Sequence, residues 1–208
     1  MLVSGGNSFL KEPTERFDVT TASAQDVHPP LPQGDLRLLQ DPAAQHLLQA
    51  AFPARMAYLS TDGAPRIVPS WFQWTGTDLV MVTYIAGPSA GIRHPARRLS
   101  ALRADPRVAV SIDTDDFPPS ALTLRGAVAI DEVDGIAPEY AAAARRYLGD
   151  SGARALLATV DRPGTRQARI VLRPAWVGLL DFTNRLPSGQ GGVSPSTPGT
   201  GSETEGSE

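Results

Sequence analysis

The chain has 208 residues, 41% of them hydrophobic, and a formal net charge of −3, which suits one domain with a buried core. It contains no cysteine, which excludes a disulfide, a thiolate metal site and a cysteine nucleophile. No apolar run reaches the roughly 18 residues of a membrane span, so no membrane partner is expected.

The charge is unevenly placed. Residues 187–208 hold Glu203, Glu205 and Glu208 and no basic residue, which leaves 19 residues of each sign in the rest. A neutral body is not the basic surface that nucleic acid requires, so no nucleic-acid partner is expected. The basic residues are 18 Arg and the single Lys11. Arg makes forked phosphate contacts better than Lys does, although codon bias accounts for such a ratio first. Residues 1–30 lack the basic start and apolar core of a signal peptide, so a cytoplasmic location is expected.

In chain order, residues 1–37 read as a disordered leader: polar, without apolar periodicity, and containing Pro29-Pro30-Leu31-Pro32. The folded domain is expected over 38–186. A helix is predicted over 42–51, with Asp41 as N-cap, Pro42 at the first helical position and Phe52-Pro53 beyond its end. Strands follow at 55–61, 65–73 and 78–85, the first pair turning at Asp62-Gly63. A short helix over 95–104 stops before Asp105-Pro106. Strands over 107–113 and 120–131 flank the turn Asp115-Asp116-Phe117-Pro118-Pro119. A helix over 138–148 runs from Pro138 to Gly149, and a second helical stretch covers 151–159. The last strand, 168–182, is expected to bend at Arg173-Pro174. Residues 187–208 are Gly, Ser, Thr, Pro and Glu almost throughout and read as a disordered acidic tail.

Hairpin connections dominate, so the expected fold is mainly β with small helices, of the α+β class. Its core is expected to be a six-stranded antiparallel β-barrel, closed or partly closed. No GxGxxG follows a strand, so a Rossmann dinucleotide site is unsupported.

Two segments could carry chemistry. Alternation along the second strand puts Arg66, Val68 and Ser70 on one face and Ile67, Pro69 and Trp71 on the other. An arginine among apolar strand residues needs an anionic partner or an open edge, and Pro69 removes a ladder donor. Both suit a strand against which a ligand lies; the other reading is an exposed Arg on an edge strand. The segment Arg93-His94-Pro95-Ala96-Arg97-Arg98 combines arginines with a helix start, where free N–H groups and forked donors bind phosphate. Thr83 and Ser89 could add hydroxyl donors. The other reading is a solvated basic loop.

Taken together, Tyr58 to Phe72, then Val82-Thr83, then Arg98 ahead of Asp105-Pro106-Arg107-Val108-Ala109-Val110, and finally Leu124-Arg125-Gly126-Ala127-Val128, give a chain that resembles the pyridoxamine 5'-phosphate oxidase-like family of flavin-binding split barrels. The resemblance spans 52–186. It implies an FMN-binding type of split barrel and a homodimer with the flavin at the subunit interface. It implies that Arg66 holds the flavin phosphate, that the backbone of Val68, Pro69 and Ser70 faces the ring, and that Thr83 supplies a hydroxyl on the phosphate side. Arg98 stands where many members carry a phosphate-binding lysine, and Arg97 matches the basic residue before it. Thr183-Asn184-Arg185-Leu186 is similar to a substrate-phosphate motif of the true oxidases, but Pro187-Ser188-Gly189 follows where those continue with His and Arg. Vitamin B6 oxidation itself is therefore not implied.

The expected function is a flavin-dependent oxidoreductase acting on a small-molecule substrate, with FMN or the deazaflavin coenzyme F-420 as cofactor. No catalytic side chain is nominated. A non-catalytic flavin- or haem-binding storage or sensor protein is the alternative, and an interaction module with a dead site is a third reading. His28, His46 and His94 have no ligand spacing, so no metal site is expected; His94 as a haem ligand belongs to the alternative. Trp71, Trp74 and Trp176 are read as core or interface residues, Asp113, Asp115 and Asp116 as a solvated turn, and Tyr140, Arg145, Arg146 and Tyr147 as the packing and solvent faces of a helix.

Overall fold

The computed structural model describes residues 31–87, 96–115 and 117–182. A 3-10 turn over Leu36–Gln40 leads to helix α1, Pro42–Gln49. Asp41 caps α1 by accepting from the Ala43 N–H at 2.9 Å, and Ala44, Leu47 and Leu48 form its buried stripe at helical spacing. Strands β1 (Ala54–Leu59), β2 (Pro65–Ser70), β3 (Phe72–Trp74) and β4 (Leu79–Ala86) follow. Helix α2 (Arg97–Ala104), strands β5 (Arg107–Asp113) and β6 (Ser120–Asp134), helix α3 (Pro138–Val160) and strand β7 (Arg166–Asp181) complete the order. Within α3, Gly149 leaves helical geometry at φ 70°, so two helical arms meet where the sequence predicts a stop.

The seven strands of the described residues form one antiparallel sheet in the order β2-β1-β5-β6-β7-β4-β3. The expected six strands become seven because the run 65–73 divides at Trp71 into β2 and β3. That division has a topological meaning. The two ends of the sheet order are separated by the single residue Trp71, so the sheet returns on itself around the core. The long antiparallel ribbon β6–β7 is its spine. Strands β5, β1 and β2 attach to the β6 edge, and β4 and β3 to the β7 edge over Arg166–Leu172 only.

Register sorts the residues into an inner and an outer face. Val68, Met56, Val110, Leu124 and Val177 are successive cross-strand partners, and all but half-buried Val68 are buried in the core cluster. Ile67, Ala57, Ala109, Arg125 and Trp176 form the adjacent row on the opposite face, which is exposed or half-exposed. Leu99 and Leu102 of α2 and Leu47 and Leu48 of α1 complete the core from the helices. Each fully buried side chain of this kind contributes about 1.5–3 kcal/mol.

Beyond Leu172, β7 no longer pairs with β4. Residues ahead of the expected domain start at 38 satisfy that edge. Gln33 accepts from the Leu179 N–H at 2.8 Å and donates to its carbonyl at 2.7 Å, and the Gly34 N–H donates to the Val177 carbonyl at 2.7 Å. Residues within the segment read as leader therefore pack on that edge, where the Gln33 side-chain amide and the Gly34 backbone N–H take the place of a strand. The expected bend in the last strand is a bulge: Arg125 opposes Trp176 and Gly126 opposes Pro174, so Ala175 is skipped.

Gly126 faces that bulge, and a Cβ built on it would stand 2.6 Å from the Arg173 carbonyl oxygen. Gly126→Ala is expected to destabilise the fold by about 1–3 kcal/mol, the usual cost of overpacking. Urea denaturation would read this as a lower midpoint at unchanged slope; an unchanged midpoint would mean that the bulge relaxes freely.

Candidate functional site

The hairpin β1–β2 closes through Thr61-Asp62-Gly63, with Gly63 at φ +79° and its N–H donating to the Ser60 carbonyl at 2.8 Å. This register makes Arg66 the cross-strand partner of Tyr58. Both lie on the inner face, at the last turn of the ladder before the hairpin loop. Helix α2 packs against β1 and β6 through Leu99 and Leu102. Arg98 sits beside Leu99 and is half-buried, with Tyr58 within electrostatic reach. Tyr58 thus links the two arginines that the sequence nominates 32 positions apart.

The two arginines differ. The Arg66 side chain is 53% exposed and donates to the Asp62 carboxylate at 3.2 Å. Among the described residues, Arg98 has a buried Nε with no hydrogen-bond partner. Burial pushes its guanidinium below the usual arginine range, with Tyr58 opposing the shift. A buried N–H on a cation is costly unless an acceptor reaches it.

The remaining nominated residues separate. Val68 is half-buried against the core, Pro69 is exposed on the outer face, and Ser70 is half-buried and donates to the Trp71 carbonyl at 2.9 Å. Thr83 is buried on β4, one pleat beyond the Phe72–Met81 pair that ends the β3 ladder. Arg97 opens α2 and is exposed. Ser89, Arg93, His94 and Arg185 lie outside the described residues. Among the described residues no group of His, Asp and Glu could hold a metal ion, and no helix is long and apolar enough to cross a membrane.

The sequence reading missed three side chains that shape this region. Tyr58 is one; hairpin register alone would have placed it opposite Arg66. The others are on α3. Arg146 donates to the carbonyls of Leu48 (3.2 Å) and Phe72, and its guanidinium lies 4.4 Å from the Phe72 ring centroid. Tyr147 donates to the Phe52 carbonyl at 2.7 Å and stacks on Trp71 at 4.9 Å between centroids. These polar residues hold the strand bend rather than facing solvent. Near the start of α3, Glu139 accepts from both Arg169 Nη2 (2.6 Å) and Nε (3.1 Å). Burial pushes its carboxyl up, but the Arg169 donors and a backbone N–H hold it below the usual glutamate range.

No family model matches the chain, and no curated protein does. Solved structures similar to it include an F-420 reductase, at 25% identity over 64% of this chain and 94% of the other, with a TM-score of 0.47. A conserved hypothetical protein of Mycobacterium tuberculosis matches at 15% identity over 65% of this chain and 80% of its own, with a TM-score of 0.48. HutZ, the haem storage protein of Vibrio cholerae, matches at 15% identity over 67% of this chain and 92% of its own, with a TM-score of 0.43.

The Glu139–Arg169 pair carries a pH signature. A carboxyl held below its unfolded value contributes stability above about pH 4.3, and that stability is lost as pH falls through the folded value. Glu139→Gln is therefore expected to lower the melting temperature at pH 7 and to flatten its fall below about pH 4. Melting curves from pH 7 to pH 3 check this; parallel curves for both proteins would mean that the pair contributes nothing.

Proposed function

We propose that the chain is a flavin-dependent oxidoreductase of the pyridoxamine 5'-phosphate oxidase-like family, with FMN or the deazaflavin coenzyme F-420 held at the interface of a homodimer. The observation that carries the proposal is the buried, unpartnered Nε of Arg98, which shares Tyr58 with Arg66. A phosphate oxygen is the acceptor such a cation lacks, and a phosphate between two guanidinium groups gains charge-assisted hydrogen bonds from both. Arg66 and Arg98 would anchor the phosphate, Arg97 would add long-range attraction from the exposed first turn of α2, and Thr83 would add a hydroxyl.

The ring would lie against β2. Among the described residues this strand pairs with β1 alone, so the groups on its other edge are open to a ligand around Val68, Pro69 and Ser70. Pro69 offers only its carbonyl there. Bound in this way, a flavin or deazaflavin supplies the hydride or electron transfer itself. The chain's own residues bind and orient it, and none is required as a general acid or base.

The outer face supports the homodimer. Ala57, Ala109, Ser111 and Thr123 present small side chains across three adjoining strands, beside Ile67, which is 69% exposed. An outer face that sets these small residues and an exposed isoleucine beside the arginines Arg55 and Arg125 fits a second copy of the same sheet.

Titration of the purified chain with FMN and then F-420, followed by absorbance and fluorescence, tests the reading. Saturable binding of one cofactor is expected. In the Arg66→Ala, Arg98→Ala double variant it should weaken by about a hundredfold, since charge-assisted hydrogen bonds contribute roughly 1.5–3 kcal/mol each. Binding without turnover in the presence of an electron donor would favour the flavin storage or sensor reading, and a haem band would redirect it to haem. Binding of neither cofactor would sink the oxidoreductase assignment.

A further inference from the structure

Between α3 and the outer face of β4 lies a cavity of about 140 Å³. Val80 and Val82 of β4, Tyr140 and Ala143 of α3, and Trp71 and Phe72 line it. We propose that this cavity is a binding site for a small, uncharged aromatic molecule carrying a hydroxyl or N–H donor, of the size of phenol. Its volume is close to that of the protein cavities, about 150 Å³, that take up a single benzene ring. Its walls are mainly apolar, with a few polar groups at the margin, the usual make-up of a small-molecule site.

The polar groups set the ligand's chemistry. The Glu139 carboxylate lines the cavity. Its Oε1 and Oε2 each accept one hydrogen bond from Arg169, and a carboxylate oxygen can accept two. A phenolic O–H or an indole N–H can therefore donate to it. A ligand carboxylate would face like charge in a confined space and is disfavoured. Ser70 and Trp71, which also line the cavity, belong to the bend that continues the open β2 edge. The cavity thus adjoins the edge assigned above to the flavin ring. As the pocket of the reacting substrate it rests on that assignment; as a binding site it does not.

Phenol and benzoate titrated into the cofactor-free chain, followed by saturation-transfer NMR of the ligand, test the proposal. Phenol is expected to bind saturably and benzoate about tenfold more weakly, a factor of ten being the effect of about 1.4 kcal/mol. Ala143→Leu places three more carbons in the cavity and should weaken phenol binding at least about tenfold while leaving cofactor binding unchanged. If that variant does not fold, Val82→Ile encroaches on the same space with one added carbon and should weaken phenol in the same direction. Absence of saturable phenol binding, phenol binding unchanged in the filled variant, or benzoate as tight as phenol would each overturn the site. The Arg66→Ala, Arg98→Ala variant should keep phenol binding, so loss of the cofactor reading and loss of this site are separately visible.

Discussion

The architecture depends on the bend at Trp71. One extended run supplies both ends of the sheet, and the change of direction at that residue lets β2 pair with β1 while β3 pairs with β4. A bend of this kind exposes carbonyls that no ladder satisfies, and α3 supplies their partners. Arg146 donates to Phe72 at the bend and to Leu48 near the end of α1, and Tyr147 stacks on Trp71 while holding the Phe52 carbonyl. One helix thereby fixes the bend and the last turn of α1. No carboxylate pairs with Arg146 among the described residues, so its charge is met by carbonyl dipoles and the faces of Phe72 and Tyr147.

From that bend the position of the arginine pair follows. Strand β2 is carried away from β4 and keeps an unpaired edge, and the hairpin returns Arg66 to Tyr58. Helix α2 is placed by burying Leu99 and Leu102 in the core, which leaves the adjacent Arg98 at the margin between apolar packing and solvent. Hydrophobic burial therefore does the positioning, and a cation is drawn partly out of water as a consequence.

Much of this was legible in the sequence, and the exceptions have physical causes. Asp62-Gly63 marks a hairpin because the loop needs a residue at positive φ, and alternation then gives the face of Arg66 correctly. The division at Trp71 was legible only so far as Pro69 removes a ladder donor nearby; the α3 side chains that hold the bend lie far along the chain. Arg146 and Tyr147 were legible only as the packing and solvent faces of an Ala-rich helix; the carbonyls they hold lie 74 and 95 positions away. Gln33 and Gly34 looked like leader because composition carries no record of an open strand edge elsewhere. In each case the deciding partner is distant in sequence, which periodicity cannot register.

The asymmetry between the two arginines bears on how an anion would be held. Arg66 already has Asp62, in an exposed pair of a kind that contributes little and is screened by salt. Its exchange of Asp62 for a phosphate changes the count of hydrogen bonds only slightly. Arg98 has no such partner for Nε, and its cation is partly desolvated whether or not a ligand is present. An arriving oxyanion would relieve a cost that folding has already incurred, and in a less aqueous setting where each contact is stronger. The greater share of anion affinity should therefore reside in Arg98, with Arg66 governing encounter and orientation.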